Sequence, residues 1–209
     1  MVDSAPPNSH ELFKRRAIGL ELMVSVKYDR LTHGSSQPTP TLYEDGFFLI
    51  SARALVDLST LDLSNDVMTE EEIRAIVPHT HEFQMIDGVC HLDVEAGLIV
   101  GYKDWDDDPW WARGHIPGRP LMPGVLMIEG CAQISTILIK KREGWPEESF
   151  IGLGGLNDVR FRGQVVPPCR VHFVSVADAR TGRKIAKYPV QCFLDGKMVM
   201  QMELMGVQL

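Results

Sequence analysis

The sequence predicts an α+β domain in which a curved antiparallel sheet wraps around one long buried helix. Three observations carry this. The run from about Pro123 to Lys141 is apolar on every side, and a helix without a polar face is a buried helix. Strand-like patterns lie both before and after it. Turn signals separate the later strands closely enough that neighbours pair antiparallel.

The elements follow in order. Residues 1–68 read as an N-terminal extension. A helix is predicted from about Ser9 to Val24, with a basic triplet at Lys14, Arg15 and Arg16, and "THGSSQPTPT" reads as a linker. "TEEEIRAIVPH" starts a helix: Thr69 is an N-cap, Glu70, Glu71 and Glu72 suit the positive end of the dipole, and Pro78 ends it. The remaining domain is placed at residues 69–209. "VCHLDVEAGLIVGYKDW" reads as two strands around Glu95-Ala96-Gly97. After the long helix comes a run of strands with turns at Pro167-Pro168, Thr181-Gly182 and Asp195-Gly196, the last a two-residue hairpin signal. The long helix spans roughly 28 Å at ~1.5 Å per residue. Lys140, Lys141 and Arg142 mark its exit to solvent.

Composition narrows the class. With 209 residues, 44% of them hydrophobic and 23% charged, the chain resembles an ordinary globular protein of one domain plus an extension. A net charge of −7 argues against a nucleic-acid-binding surface. Cys90, Cys131, Cys169 and Cys192 form no CxxC pair, so a reduced, cytoplasmic compartment is expected. No secretory leader is read at the N-terminus and no run of about 18 apolar residues occurs, so no membrane insertion is expected.

The chemistry concentrates in "GHIPGRPLMPGVLMIEGCAQ", residues 114–133. Glu129 is a lone carboxylate on the apolar helix and shares a face with Gln133, four residues on. A buried, unpaired carboxylate shifts its pKa upward, as a general acid near neutral pH requires. Pro123 and Gly124 open the helix, where the Gly124 N–H points outward at the positive end of the dipole and suits a carbonyl oxygen gaining charge. His115 stands just before this loop and titrates in the useful range.

These residues resemble the active-site loop and central helix of the β-hydroxyacyl-acyl-carrier-protein dehydratases, a family with the hotdog fold. The family pattern G-H-F-P-x-x-P-x-M-P-G-V-L-x-x-E-A-x-A-Q is met by Gly114, His115, Pro117, Pro120, Met122, Pro123, Gly124, Val125, Leu126, Glu129, Ala132 and Gln133. "VPHTHEFQMIDGV" is similar to its early segment through His79, Phe83 and Asp87, and "DVRFRGQVVPPCRV" to a later one. The likeness covers about Thr69 to Leu209. It implies a dimer, or a trimer of dimers, whose sites take His115 from one subunit and Glu129 from the other. It further implies that His115 abstracts the proton beside a thioester carbonyl and that the N–H groups of Gly124 and Val125 hold that carbonyl. Glu129 then protonates the leaving hydroxyl, and the product is a trans-2-enoyl thioester. The substrate would ride on acyl carrier protein or coenzyme A, and no metal or organic cofactor is implied. Pro123, Gln133 and Trp111 complete the expected substrate-binding set.

The chain departs from the family pattern at several places. Gly130 replaces the usual alanine. Trp110-Trp111 precede the histidine by a longer approach. "DWDDDPWW" is acidic, which repels an acidic carrier, and Pro168 replaces a glycine. Two alternative functions keep the same fold: an acyl-thioesterase, or a non-catalytic module that binds acyl chains. His79 and His81 alone do not make a zinc site, since no third ligand accompanies them. Arg113, Arg119, Arg160, Arg162 and the Lys140–Arg142 group are candidates for a phosphopantetheine or carrier-protein patch.

Overall fold

The computed structural model describes residues 53–146, 148–177 and 184–209. The chain divides into two units, residues 1–52 and residues 53–209, and the described residues lie in the second. The expected helix at Ser9–Val24, its linker and the Thr181-Gly182 turn fall outside the described residues.

The described elements are α1 (Glu70–Ile76), β1 (Gly88–Asp93), β2 (Leu98–Trp105), α2 (Gly124–Glu143), β3 (Ile151–Phe161), β4 (Cys169–Val176), β5 (Ile185–Leu194) and β6 (Lys197–Gln208). The six strands form one antiparallel sheet in the order β1-β2-β4-β5-β6-β3. This is the architecture expected from the sequence, a hotdog sheet with one long helix against it.

Local chemistry explains the boundaries. Thr69 Oγ1 accepts from the Glu72 N–H at 3.2 Å, while the Glu72 carboxylate accepts from the Thr69 N–H at 2.7 Å. This capping box satisfies two donors that the start of a helix otherwise leaves open. Gly144 ends α2 at φ +62°, a left-handed position that glycine adopts without a steric penalty. Asp195 and Gly196 both take positive φ, as a tight two-residue hairpin between β5 and β6 demands. The Pro167–Pro168 peptide is cis and lies between β3 and β4.

Alternation along the strands builds two apolar layers. Val89, Ile99, Phe173 and Cys192 join α2 residues Cys131, Ile134, Ile137 and Leu138 in the main core. Their neighbours Cys90, Val100, Val174 and Phe193 form a second cluster, covered by Val56, Leu58, Leu61 and Leu63. Residues 53–68, grouped with the extension in the sequence reading, therefore lie as a strap against the sheet face turned away from α2. Polar contacts hold the strap: the Leu55 N–H donates to Gln191 Oε1 at 2.8 Å, Gln191 Nε2 donates to the Arg53 carbonyl at 3.0 Å, and the Tyr102 hydroxyl donates to the Asp66 carboxylate at 3.1 Å.

Lys140 does not leave for solvent as the sequence predicts. It is buried, with Nζ 3.5 Å from the Ile76 carbonyl, and so links α1 to α2. Its long aliphatic stem makes such burial tolerable.

Candidate active site

The loop before α2 is built to hold one imidazole. The N–H groups of Gly114 and His115 both donate to the Trp111 carbonyl, at 3.1 and 2.8 Å. Trp111 itself is buried and packs edge-on against Trp105, with ring centroids 5.6 Å apart. It anchors the loop from within the core and is not among the residues that line the cavity beside His115. Ile116 follows at φ +59°, a left-handed conformation that costs a β-branched residue on the order of 1–3 kcal/mol. Such strain persists only where surrounding contacts impose it, and here it lies next to the histidine.

His115 Nδ1 stands 2.6 Å from the Leu121 carbonyl oxygen. A carbonyl oxygen only accepts, so the proton belongs on Nδ1 and Nε2 is the free, basic nitrogen. The Met122 N–H donates to the Val165 carbonyl at 2.9 Å, pinning this loop to the chain that follows β3.

His115 opens onto a mainly apolar cavity of about 310 Å³ whose wall includes Met122, Gly124, Val125, Phe161 and Val165. The start of α2 thus forms part of the wall, and the first N–H groups of a helix have no acceptor within it. Phe161 covers Gly124 closely: a Cβ there would sit 2.6 Å from the Phe161 ring. The sequence reading assigned Phe161 no role. Its place in the "FRG" segment marked the strand but not the contact. Pro123 caps α2 at φ −58°, ψ 127°, and is not part of the cavity wall.

Glu129 is not part of that wall either. Five residues along a helix is about 7.5 Å and about 140° of rotation, which carries Glu129 away from Gly124. Among the described residues, the cavity that His115 lines therefore does not include Glu129. Glu129 is also not the buried, unpaired carboxylate that the sequence predicts: its side chain is 28% exposed. Oε1 accepts from Gln133 Nε2 at 2.8 Å and lies 3.5 Å from His79 Nε2. Gln133 is buried and fully engaged. Its Nε2 also donates to the Phe83 carbonyl at 2.7 Å, and its Oε1 accepts from the Met85 N–H at 3.0 Å.

The reason Glu129 meets solvent is a stripe along α2. Val125 is 68% exposed, and Ile128, Glu129, Ala132 and Thr136 are only half-buried, at three- and four-residue spacing. Among the described residues, the helix is thus not buried all round. The sheet ends at β3, on which Leu153 and Phe161 are exposed, as is Phe150 just before it.

The acidic loop is partly neutralised. Arg170 donates two hydrogen bonds to the Asp104 carboxylate, both at 2.7 Å, and holds its pKa below the usual carboxylate range. Arg160 and Arg162 are exposed, and Arg119 reaches Gln164 on the cavity wall at 3.2 Å. Among the described residues, no three His, Cys, Asp or Glu side chains converge as a metal-binding set.

Comparison with known proteins shows what this chain is similar to. The model of the FabA-like domain family matches residues 77–203. The 3-hydroxyacyl-acyl-carrier-protein dehydratase FabZ of Teredinibacter turnerae is 39% identical over 137 residues, covering 64% of this chain and 92% of that protein. The FabZ of Clostridium botulinum strain Loch Maree is 33% identical over 141 residues, covering 65% and 92%. Among solved structures, the dehydratase heterocomplex ApeI:P from Xenorhabdus doucetiae gives a TM-score of 0.54 at 14% identity, over 66% of this chain and 90% of that one. A mutant thioesterase from Pseudomonas aeruginosa gives 0.51 at 15%, over 70% and 99%. At these identities the two structures show the hotdog fold, which carries more than one chemistry.

Proposed function

The chain belongs to the FabA-like domain family, and from that premise we propose that it is a hydro-lyase that converts β-hydroxyacyl thioesters into trans-2-enoyl thioesters. In this reading His115 Nε2 takes the proton from the carbon beside the thioester carbonyl. The electron pair moves onto the carbonyl oxygen, which the Gly124 N–H, with that of Val125, stabilises at the start of α2. The pair then returns to form the Cα–Cβ double bond as the Cβ–O bond breaks. The hydroxyl leaves with the proton of Glu129, as water. Solvent exchange restores the neutral imidazole and the protonated carboxyl.

One observation carries this reading: the Leu121 carbonyl fixes the His115 tautomer so that a basic Nε2 and the first N–H groups of α2 share one apolar cavity. Glu129 lies off that cavity, on the uncovered stripe of α2, so a second copy of the chain supplies the acid. A homodimer, or dimers assembled further, is the working form. The named relatives use substrates on acyl carrier protein; the same carrier, or coenzyme A, serves here. The four cysteines are free thiols, which fits a reducing, cytoplasmic setting. No described helix is long and apolar enough to cross a membrane.

The test is ultraviolet absorbance of a short β-hydroxyacyl/enoyl thioester pair, on both carriers. The wild type interconverts the two. His115→Ala and Glu129→Gln each lose on the order of 10²–10⁴-fold while remaining folded. Release of free thiol without enoyl product would replace this reading with a thioesterase. No turnover on either carrier would replace it with an acyl-binding module.

A further inference from the structure

We propose that His79 is a positioning residue for Glu129: it fixes the carboxyl on one oxygen so that the other faces the leaving hydroxyl. The inference rests on the reading of Glu129 as the acid. His79 Nε2 lies 3.5 Å from Glu129 Oε1, the same oxygen that accepts from Gln133 Nε2. Both contacts fall on Oε1, which leaves Oε2 to carry the proton.

The rest of the segment is rigid enough to aim His79. Pro78 stops α1 one residue earlier, and α1 is held to the core by Ile73 and Ile76 and to α2 by Lys140. A short 3-10 turn follows at His81–Phe83, with His81 at φ +55°. That turn returns the chain so that the Phe83 carbonyl and the Met85 N–H both meet Gln133. Three links therefore join residues 79–85 to the Glu129 face of α2.

Gln133 alone does not fix the carboxyl. Its amide is spent on three partners, and a single hydrogen bond leaves a carboxyl free to swing about it. The imidazole of His79, 3.5 Å from Oε1, supplies a second, electrostatic restraint from a different element. It also stabilises the negative charge that appears on Glu129 once the proton has gone. Catalytic contacts are often long in the substrate-free enzyme and tighten when substrate is bound. His79 is 41% exposed at the side chain, so its removal leaves little packing behind to lose.

The experiment is a double-mutant cycle on the full chain in the dehydration assay, with thermal unfolding measured beside it. His79→Ala lowers kcat by about 10- to 100-fold with KM nearly unchanged, the effect of a misplaced catalytic group. His79→Gln, which restores an N–H donor, recovers most of that loss. In the Glu129→Gln background, His79→Ala costs nothing further, because the group it positions is already gone. An unchanged kcat in His79→Ala would overturn the proposal. So would an equal loss in both backgrounds, or a loss that follows a drop in Tm. If Glu129→Gln alone keeps full turnover, the acid assignment itself fails, and this proposal with it. A cycle in which Glu129→Gln is inactive and His79→Ala keeps the wild-type kcat would sink this proposal alone.

Discussion

The ring of Phe173 stands where a side chain at Gly130 would begin: a Cβ on Gly130 would lie 2.4 Å from Phe173 Cζ. Glycine inside a helix costs about 0.5–1 kcal/mol relative to alanine. Here that cost admits a fully buried aromatic from β4 against the middle of α2. The departure from the family's alanine is thus a matter of how closely helix and sheet approach.

Gly130→Ala is therefore predicted to destabilise the protein, against the intrinsic helix preference. The propensity gain is up to ~1 kcal/mol, while overpacking a core costs about 1–3 kcal/mol. Phe173 is completely enclosed and cannot move without displacing its neighbours. Thermal unfolding should show a lower Tm, and adding Phe173→Leu should recover part of it. A higher Tm in Gly130→Ala would show that the helix stands further from the sheet than described.

Gly124 offers a cleaner separation of packing from chemistry. Alanine and proline at 124 both add a Cβ facing the Phe161 ring, which is half-exposed and free to swing. Only proline removes the N–H, and proline is well tolerated in the first turn of a helix. Gly124→Pro is predicted to lose about 10²–10³-fold more in kcat than Gly124→Ala, the usual cost of one oxyanion donor. Equal rates in the two variants would exclude this N–H from the mechanism.

The thiols give the alkaline limit of stability. Burial pushes Cys90 from 9.0 to about 11, and Cys169 likewise to about 11. Cys192, enclosed beside Cys131 at 3.4 Å between sulfurs, is raised as well. A folded-state value above the unfolded one favours the folded protein fully below pH 9 and loses that contribution as pH climbs through about 11. Tm is predicted to fall across that window. At pH 8, Ellman's reagent should label the native thiols far more slowly than the unfolded ones, since only about one in a thousand is thiolate at a pKa of about 11. Rapid native labelling at pH 8 would contradict the burial.

Much of the fold is legible in the sequence because its boundaries are written in local chemistry. Pro123 and Gly144 punctuate α2, Thr69 and Glu72 make the capping box, and Asp195-Gly196 supply the positive φ values of a tight hairpin. The site is only half legible. His115 and Gly124 sit on one continuous stretch, so spacing alone places them together. The surroundings of Glu129 do not follow from spacing. An apolar run predicts cover on all sides, but composition does not say what supplies that cover, and among the described residues Val125, Glu129 and Ala132 do not receive it in full. His79 is 50 residues away, and its contact depends on how the chain turns after Pro78. Trp111 reads as a cavity residue by position, yet Trp105 draws it into the core. The strap at residues 53–68 has no clear period, because its leucines meet the sheet singly between aspartate-capped turns at Asp57 and Asp62.

The central claim is that His115 of one copy works with Glu129 of another. Mixing His115→Ala with Glu129→Gln, under conditions that exchange subunits, tests it directly. Each variant alone is inactive, but a mixed dimer with two-fold symmetry carries one site with both residues intact. Random exchange of equal amounts is predicted to restore about a quarter of wild-type turnover. Mixed dimers that form without any recovered turnover would contradict the shared site and confine the chemistry to a single chain.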